Sequence, residues 1–396
     1  MLDPDEALDR VLAGVERLGT ERVALDAADE RFLAETLIAS APLPPTDYSA
    51  MDGYAVARAD FSGDGPWTLP VHGESQTGHE PPRLEPGRTC RIFTGATLPP
   101  GADAVVMQEE VERDGERARF TARPEPGAHV RRAGEDLAAG AVALGAGVRL
   151  GPAQLALAAA LDRAEVEVAR RPRAVVVCTG DELRAPGSAP RPGSIPESNG
   201  FAIAALARRA GAEARVAPLV GDDAAATRAA LERALEDADL LVTIGGVSVG
   251  EHDLVRPALE AAGASLDFWK VAIRPGKPLA FGRSSRALVL GLPGNPVSAQ
   301  VTFTLFGVPL LHALQGATRA RTETRLARLT APLRQRPGRR GYYRARLEGE
   351  HATPLSNQAS GAVTGMAWAN ALVVVPADSD GYAEDELVPV IPLGER

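Results

Sequence analysis

In a chain that otherwise relies on arginine, two lysines occupy one short segment. Of 43 basic residues only Lys270 and Lys277 are lysine, and both lie in DFWKVAIRPGKP. Lysine is a compact point charge on a flexible stem, suited to phosphate or oxyanion ligands, so the pair reads as functional rather than as compositional drift. Carboxylates and glycines, in turn, collect at the ends of three apolar runs. Ala174–Cys178 leads into Thr179-Gly180-Asp181-Glu182, and Leu241–Ile244 into Gly245-Gly246-Val247-Ser248-Val249-Gly250, then Glu251 and Asp253. Ala287–Leu292 leads into Pro293-Gly294-Asn295-Pro296. Open parallel sheets bind ligands beyond the carboxyl ends of their strands. Several acids at one crevice suit Mg²⁺, which takes few carboxylates together with substrate phosphates. Glycine loops ahead of helix N-termini offer N–H groups to anions. Acids for a metal, with amides and two lysines for phosphates, make a consistent set.

Each component also has a plainer reading. A carboxylate after a strand often only caps the next helix, and Asp222 in GDDAAATRAAL is the plainest case. No GxGxxG follows a strand and no GxxxxGK[ST] is present, so dinucleotide and P-loop fingerprints are missing. Gly246–Gly250 matches GxSxG between a strand and a helix, and His312 or His351 could complete a Ser–acid–His set. Acyl transfer requires neither the second acidic loop nor the lysines, which ranks a serine hydrolase below the phosphate-and-metal reading. The histidines (His72, His79, His129, His252, His312 and His351) show no HxxxH or HExxH spacing, so zinc is not indicated. Cys90 and Cys178 sit in strand-like runs and read as buried thiols.

Periodicity supplies the elements that must position these groups. Asp3-Pro4-Asp5-Glu6 is a helix start, followed by a stripe of Leu8, Val11, Leu12, Val15 and Leu18. A second helix is expected over Ala27–Leu37, and the Pro-rich Ala41–Val56 marks a domain crossing. Residues 50–125 read as β-rich, with a hairpin turn at Asp114-Gly115. Residues 130–170 are expected to return to helix, which makes the first domain discontinuous around a β insertion. From Arg173 strands alternate with helices of ten to fifteen residues, the signature of a mostly parallel sheet. The last 75 or so residues alternate as a small β domain.

At 396 residues the chain predicts two to four domains. A formal net charge of −9 excludes a global basic field for nucleic acid. Two distant cysteines exclude a disulfide scaffold. No apolar run approaches the ~20 residues of a membrane span, and no signal peptide is visible, so a cytoplasmic location is expected.

Seven segments together resemble the molybdopterin molybdenumtransferase family, which includes the C-terminal part of gephyrin. They are SAMDGYA (49–55), RIFTGATLPPGADAVVMQEE (91–110), RRAGEDL (131–137), CTGDEL (178–183), GGVSVGEHD (245–253), FWKVAIRPGKP (268–278) and GLPGNPVSA (291–299). The resemblance implies a multidomain α/β plus β fold: a helical linker domain (1–45 and 126–172), an inserted β-rich domain (46–125), a molybdopterin-binding α/β domain with a mostly parallel sheet (173–318) and a C-terminal β-barrel (319–396). It implies Mg²⁺-dependent hydrolysis of adenylyl-molybdopterin, release of AMP and insertion of molybdate at the dithiolene. It also implies a homodimer with sites shared between subunits, and contacts with the adenylyltransferase and with acceptor apo-enzymes. Carried over motif by motif, the catalytic set is Asp52, Thr94, Asp136, Glu182, Asp222, Asp253, Lys270 and Lys277, with Glu182, Asp222 and Asp253 toward the metal. The binding set is Gly245, Gly246, Ser248, Gly250 and Pro293-Gly294-Asn295-Pro296, with Arg274, Lys277, Arg344 and Ser360 toward molybdate. A non-catalytic gephyrin-like scaffold and the sibling adenylyltransferase are the alternatives; the extra domains argue against the latter.

Overall fold

Between residues 173 and 261 helix and strand alternate as the periodicity predicts, and three strands of the same sheet then follow in succession, of which Pro278–Arg283 was not expected. The computed structural model describes residues 1–246 and 254–394, so Ser248, Gly250 and Asp253 lie outside the described residues. The chain forms two units. One comprises Met1–Glu35, Ala146–Gly151 and Glu165–Arg396; the other comprises Thr36–Gly145 and Pro152–Ala164.

In the first unit, helix α1 (Pro4–Leu12) starts where Asp3 accepts a hydrogen bond from Asp5 N at 2.8 Å. It stops at Leu12, short of the full apolar stripe, and Gly14 turns the chain at φ +63°. Val15 and Leu18 still pack on the same core as Leu8. The sheet contains β1 (Arg173–Cys178), β2 (Glu213–Val216), β3 (Leu240–Ile244), β4 (Ser265–Lys270), β5 (Pro278–Arg283) and β6 (Leu288–Leu292), in spatial order β2-β1-β3-β6-β5-β4. The first four strands in that order are parallel; β5 and β4 are antiparallel additions. Both faces are covered, which explains the unbroken apolar runs. Val176, Val242 and Leu290 face the core shared with α3 (Asn199–Arg209), whereas Val175, Leu241 and Val289 face α4 (Ala224–Asp237) and α5 (Val255–Ala261).

After β6, helix α6 (Pro296–Thr302), a π-helical segment (Phe303–Gly307) and α7 (Val308–Leu314) run on as one stretch of 19 residues. By length and composition this stretch could cross a membrane, contrary to the expectation that no run is long enough, but 78% of its most apolar window is buried in the fold. Ser298, Gln300, Thr302, Thr304 and His312 interrupt its apolar pattern in the sequence.

A closed five-stranded barrel follows: β7 (Arg325–Leu329), β8 (Arg340–Glu348), β9 (His351–Pro354), β10 (Ala371–Val375) and β11 (Leu387–Pro392). The order is β8-β9-β7-β11-β10, closed by β10 on β8, with α8 (Val363–Trp368) before β10. A two-residue strand, Ile273–Arg274, pairs parallel with Arg340–Gly341 and ties the lysine loop to the barrel.

Two expectations fail in this unit. Ala27–Leu37 is not helical: a 3₁₀ turn at Leu25–Ala27 gives way to extended chain, with Glu30 N, Leu33 N and Ala34 N donating to Leu150, Val148 and Glu167 carbonyls. Long-range pairing overrides a good helical pattern there. Within 130–170, Glu165–Ala169 is a strand paired antiparallel with Thr20–Ala24.

The second unit holds a six-stranded sheet in the order Ala104–Met107, Gly53–Val56, Thr89–Ile92, Trp67–Ser75, Arg117–Phe120, Val111–Asp114. The expected hairpin is present, Asp114 facing Arg117 and Gly115 at φ +57°. Two short ladders, Leu37–Ile38 with Val142–Leu144 and Tyr48–Ser49 with Val130–Arg131, and helix α2 (Pro152–Ala160) complete it.

Candidate active site

Three neighbouring parallel strands, β1, β3 and β6, end at one cavity of about 870 Å³. Its wall carries Gly180 and Glu182 after β1, Gly245 and Gly246 after β3, and Pro293-Gly294-Asn295-Pro296 after β6. This is the crevice that a parallel sheet offers beyond its carboxyl ends. Gly180 is at φ +146°, and a Cβ there would lie 2.4 Å from Glu182 Oε2, so the carboxylate folds back over bare backbone. Gly245 is at φ +91°, and a Cβ would lie 2.7 Å from the Thr179 carbonyl. Gly180 requires glycine for conformation, and Gly245 for conformation and for space.

Asp222 lines the same cavity and is not the helix cap. Asp223 caps α4, accepting from Ala226 N at 2.7 Å. Asp222 is instead linked to the β1 loop: its N–H donates to Asp181 Oδ1 at 3.0 Å, and its Oδ2 accepts from Asp181 N at 3.3 Å. Arg191 clamps that loop by donating to the Asp181 and Leu183 carbonyls at 2.7 and 2.9 Å. Two exposed carboxylates therefore face one cavity. They suit Mg²⁺, a hard ion held by one or two carboxylates when substrate oxygens complete its shell. Among the described residues no group of three or more Asp, Glu, His or Cys gathers to hold a metal by itself.

The cavity also recruits residues that motif reasoning passed over. Asn199, at the start of α3, donates to the Gly294 carbonyl at 2.7 Å, while its Oδ1 is buried without a partner among the described residues. Glu197 is 4% exposed, and its Oε1 accepts from Gly200 N at 2.6 Å. Burial, then the Glu197 carboxylate, pushes the Cys178 thiol pKa up, so this cysteine is an inert core thiol as expected. Cys90 is likewise buried, its pKa pushed up to about 11 by burial. An N-terminal helix turn just after a polar IPESN run was the available signal for Asn199 and Glu197.

The lysine loop and the C-terminal region reach the cavity wall only through Pro278, Gly361 and Val363. Pro278 lines the cavity and directly follows Lys277, which is exposed; Lys270 is half-buried and pairs with Pro278 across β4 and β5. Val271 N donates to the Lys277 carbonyl at 3.1 Å, closing the loop that carries Arg274. Ser360 Oγ accepts from Asn295 Nδ2 at 3.2 Å, and its carbonyl accepts from Val297 N at 3.1 Å. Arg344 is fully buried and does not line the cavity. Its Nη2 donates to the Asn357 and Ala359 carbonyls at 2.8 and 3.2 Å, while Nε and Nη1 have no partner among the described residues. Burial lowers its pKa. Arg344 thus holds the loop that presents Ser360.

In the second unit, Asp52 and Thr94 meet. Asp52 Oδ1 accepts from Thr94 N and from Thr94 Oγ1, each at 2.7 Å. The backbone hydrogen bond, then the hydroxyl one, holds the Asp52 pKa below its ordinary value. Asp136 is exposed, with no side-chain hydrogen bond or ion pair among the described residues, whereas its neighbour Glu135 is engaged by Arg131 and by Arg132 N.

Family models match three consecutive stretches of the chain. They are the MoeA N-terminal region (domains I and II) over residues 2–161, a probable molybdopterin binding domain over 175–313 and the MoeA C-terminal region (domain IV) over 326–393. The chain is 40% identical to molybdopterin molybdenumtransferase 2 of Mycobacterium tuberculosis over 367 residues, 90% of this chain and 91% of that one. It is 37% identical to the molybdopterin molybdenumtransferase of Haemophilus influenzae over 403 residues, 99% of each chain. The solved structure of a molybdopterin biosynthesis MoeA protein from Pyrococcus horikoshii OT3 superposes with a TM-score of 0.87 at 28% identity, covering 99% of this chain and all of that one. With near-complete coverage by relatives at this identity, the chain belongs to the molybdopterin molybdenumtransferase family.

Proposed function

We propose that this protein hydrolyses adenylyl-molybdopterin and inserts molybdate into its dithiolene, yielding molybdenum cofactor and AMP. The single observation that carries the reading is the cavity where Glu182, Asp222, two glycine loops and the Pro293–Pro296 turn converge. Glycine-rich strand ends and the α6 N-terminus receive the substrate's phosphates through backbone N–H groups. Asn199 Oδ1, an unsatisfied acceptor, takes a ligand N–H. Glu182 and Asp222, with Asp253, are the proposed ligands of Mg²⁺, which when bound would neutralise charge on the phosphoanhydride. Arg274 and Lys277 supply positive charge toward the molybdate dianion, with Lys270 on the same loop, while Ser360 offers a hydroxyl and Arg344 steadies its loop. Asp52, kept ionised by Thr94, acts from the inserted domain, and Asp136 acts from the linker domain.

The proposed domain division is a linker domain over 1–45 and 126–172, an inserted β domain over 46–125, an α/β domain over 173–318 and a barrel over 319–396. A homodimer in the cytoplasm, receiving substrate from the adenylyltransferase and passing cofactor to apo-enzymes, completes the reading. The test is direct: incubate the purified protein with adenylyl-molybdopterin, Mg²⁺ and molybdate, and follow AMP. Stoichiometric AMP that depends on Mg²⁺ is expected. No AMP above the protein-free control refutes the reaction.

A further inference from the structure

Three helices leave the active cavity and reach a second one. Helix α3 gives Asn199 to the first and Leu206 and Arg209 to the second. The long α6–α7 stretch gives Pro296 to the first and then Thr304, Val308 and His312, four residues apart, to the second. Helix α8 gives Val363 to the first and Met366 to the second. The second cavity measures about 330 Å³, inside the ~300–1,000 Å³ range of small-molecule sites. Thr304 belongs to the π-helical segment, a local irregularity that recurs at functional sites.

His312 gives this cavity a chemical preference. Burial, helped by Arg149, pushes its pKa down to about 4, so the ring is neutral at physiological pH. Its hydrogen bond with the Ala320 backbone favours the protonated ring, which makes that nitrogen, Nδ1, the donor. Nε2 is then a bare acceptor, buried and without a partner among the described residues. An orphaned acceptor of this kind costs free energy unless a ligand N–H or O–H reaches it. Leu206, Val308 and Met366 offer apolar surface for a ring. Arg209, exposed at the end of α3, enters no ion pair among the described residues and is free to meet an anion.

We propose that this second cavity, between α3, the α6–α7 stretch and α8, binds a small aromatic acid bearing a ring N–H or O–H, and that its occupancy stiffens the helix turns lining the active cavity. The ring packs against Leu206, Val308 and Met366, the donor meets His312 Nε2, and the carboxylate meets Arg209. Packed helices with one end in each cavity are a contiguous route for such coupling.

The full-length protein is titrated with indole-3-acetate and 4-hydroxyphenylacetate by calorimetry, and its amide exchange is followed with and without ligand. Saturable one-to-one binding of at least one acid is expected, with slowed exchange in the first turns of α3 and α6. Arg209→Ala should weaken binding about tenfold, as expected for a lost charge-assisted hydrogen bond. Val308→Trp should fill the cavity and abolish binding. Absence of binding by both acids overturns the site, as does binding that survives both substitutions. Binding without slowed exchange at the first turns overturns the coupling. If Val308→Trp fails to fold, as its melting curve will reveal, Arg209→Ala decides alone, because it alters only an exposed side chain. These readouts do not depend on AMP release, so their failure and that of the proposed reaction are separable.

Discussion

Asp222 and Asp223 are adjacent acids with opposite work. Asp223 caps α4 through Ala226 N, whereas Asp222 faces the cavity and is tied to Asp181. Asp223→Ala should cost about 1 kcal/mol in stability, the usual value of a lost cap, with activity per folded molecule retained. Asp222→Asn should leave the melting curve nearly unmoved and lower AMP release about 10²-fold, the scale on which electrostatic groups act on transition-state charge. Glu182→Gln should behave likewise. Parallel melting and AMP assays check the contrast, and comparable AMP release by all three variants would remove Glu182 and Asp222 from the chemistry. The adjacency also marks a limit of sequence reading. A carboxylate after a strand is legible, but which of two successive ones caps the helix depends on a hydrogen-bond geometry that GDD does not encode. Asp52 poses a similar question with a titration answer. Thr94 favours its ionised form, so Thr94→Val, which removes only the hydroxyl donor, should raise the Asp52 pKa part of the way to its ordinary value in an NMR titration.

At the scale of elements, α8 lies on a buried guanidinium. A Cβ on Gly365 would fall 2.7 Å from Arg344 Nε, in the middle of a fully buried side chain rather than at a yielding tip. Alanine gains about 1 kcal/mol over glycine from helix propensity, but overpacking costs about 1–3 kcal/mol. Gly365→Ala is therefore expected to destabilise on balance, read as a lower denaturant midpoint at unchanged slope. The opposite end of the sheet carries a pH-dependent clasp. Asp239 accepts from both Arg170 Nη atoms and from Arg173 N, between 2.7 and 2.8 Å. Burial alone would raise its pKa, but these donors outweigh burial and bring it below the ordinary 3.8. A depressed carboxylate stabilises the fold above its unfolded pKa, and that contribution disappears as pH falls through the folded value. Asp239→Asn should cost about 2 kcal/mol at neutral pH, since Arg170 remains a third exposed, and should flatten the loss of stability on acidification. The α/β alternation and the Asp114-Gly115 hairpin were legible because local pattern and final pairing agree there. Ala27–Leu37 was not, because its partners Val148, Leu150 and Glu167 lie more than a hundred residues away. The buried helix Pro296–Leu314 was obscured by its own polar residues, two of which, Thr302 and Thr304, bond back to the preceding turn.

For the whole molecule, the proposed homodimer makes a quantitative claim. If each site needs Asp52 from one chain and Asp222 from the other, Asp52→Ala and Asp222→Ala proteins are each inactive. Unfolded and refolded together, random pairing gives roughly half heterodimers, each with one intact site, so about a quarter of wild-type activity should return. Heterodimers verified by mass that remain inactive refute the shared site and leave the chemistry standing. The strand-end cavity was foreseeable from the motifs, because a parallel sheet fixes where its loops must gather. The burial of Arg344 was not, since nothing in GYYRARLEG states that the guanidinium turns inward toward Asn357 and Ala359 rather than outward to a ligand.

The placement of Lys270 and Lys277 on one loop has a practical corollary for protein chemistry. Because these are the only lysines, an amine-reactive ester addresses the loop beside the cavity and, apart from the chain's α-amino group, little else. Lys277, exposed, should acylate ahead of half-buried Lys270. After denaturation a lysine-specific endoprotease has a single productive cut, following Lys270, since Pro278 protects the bond after Lys277. Loss of that cut reports acylation at Lys270, and a mass shift on the fragment beginning at Val271 reports it at Lys277. The molecule thus carries its own footprinting label beside the cavity that Pro278 lines, and ligands that occupy the loop can be ranked by how far they slow each of the two events.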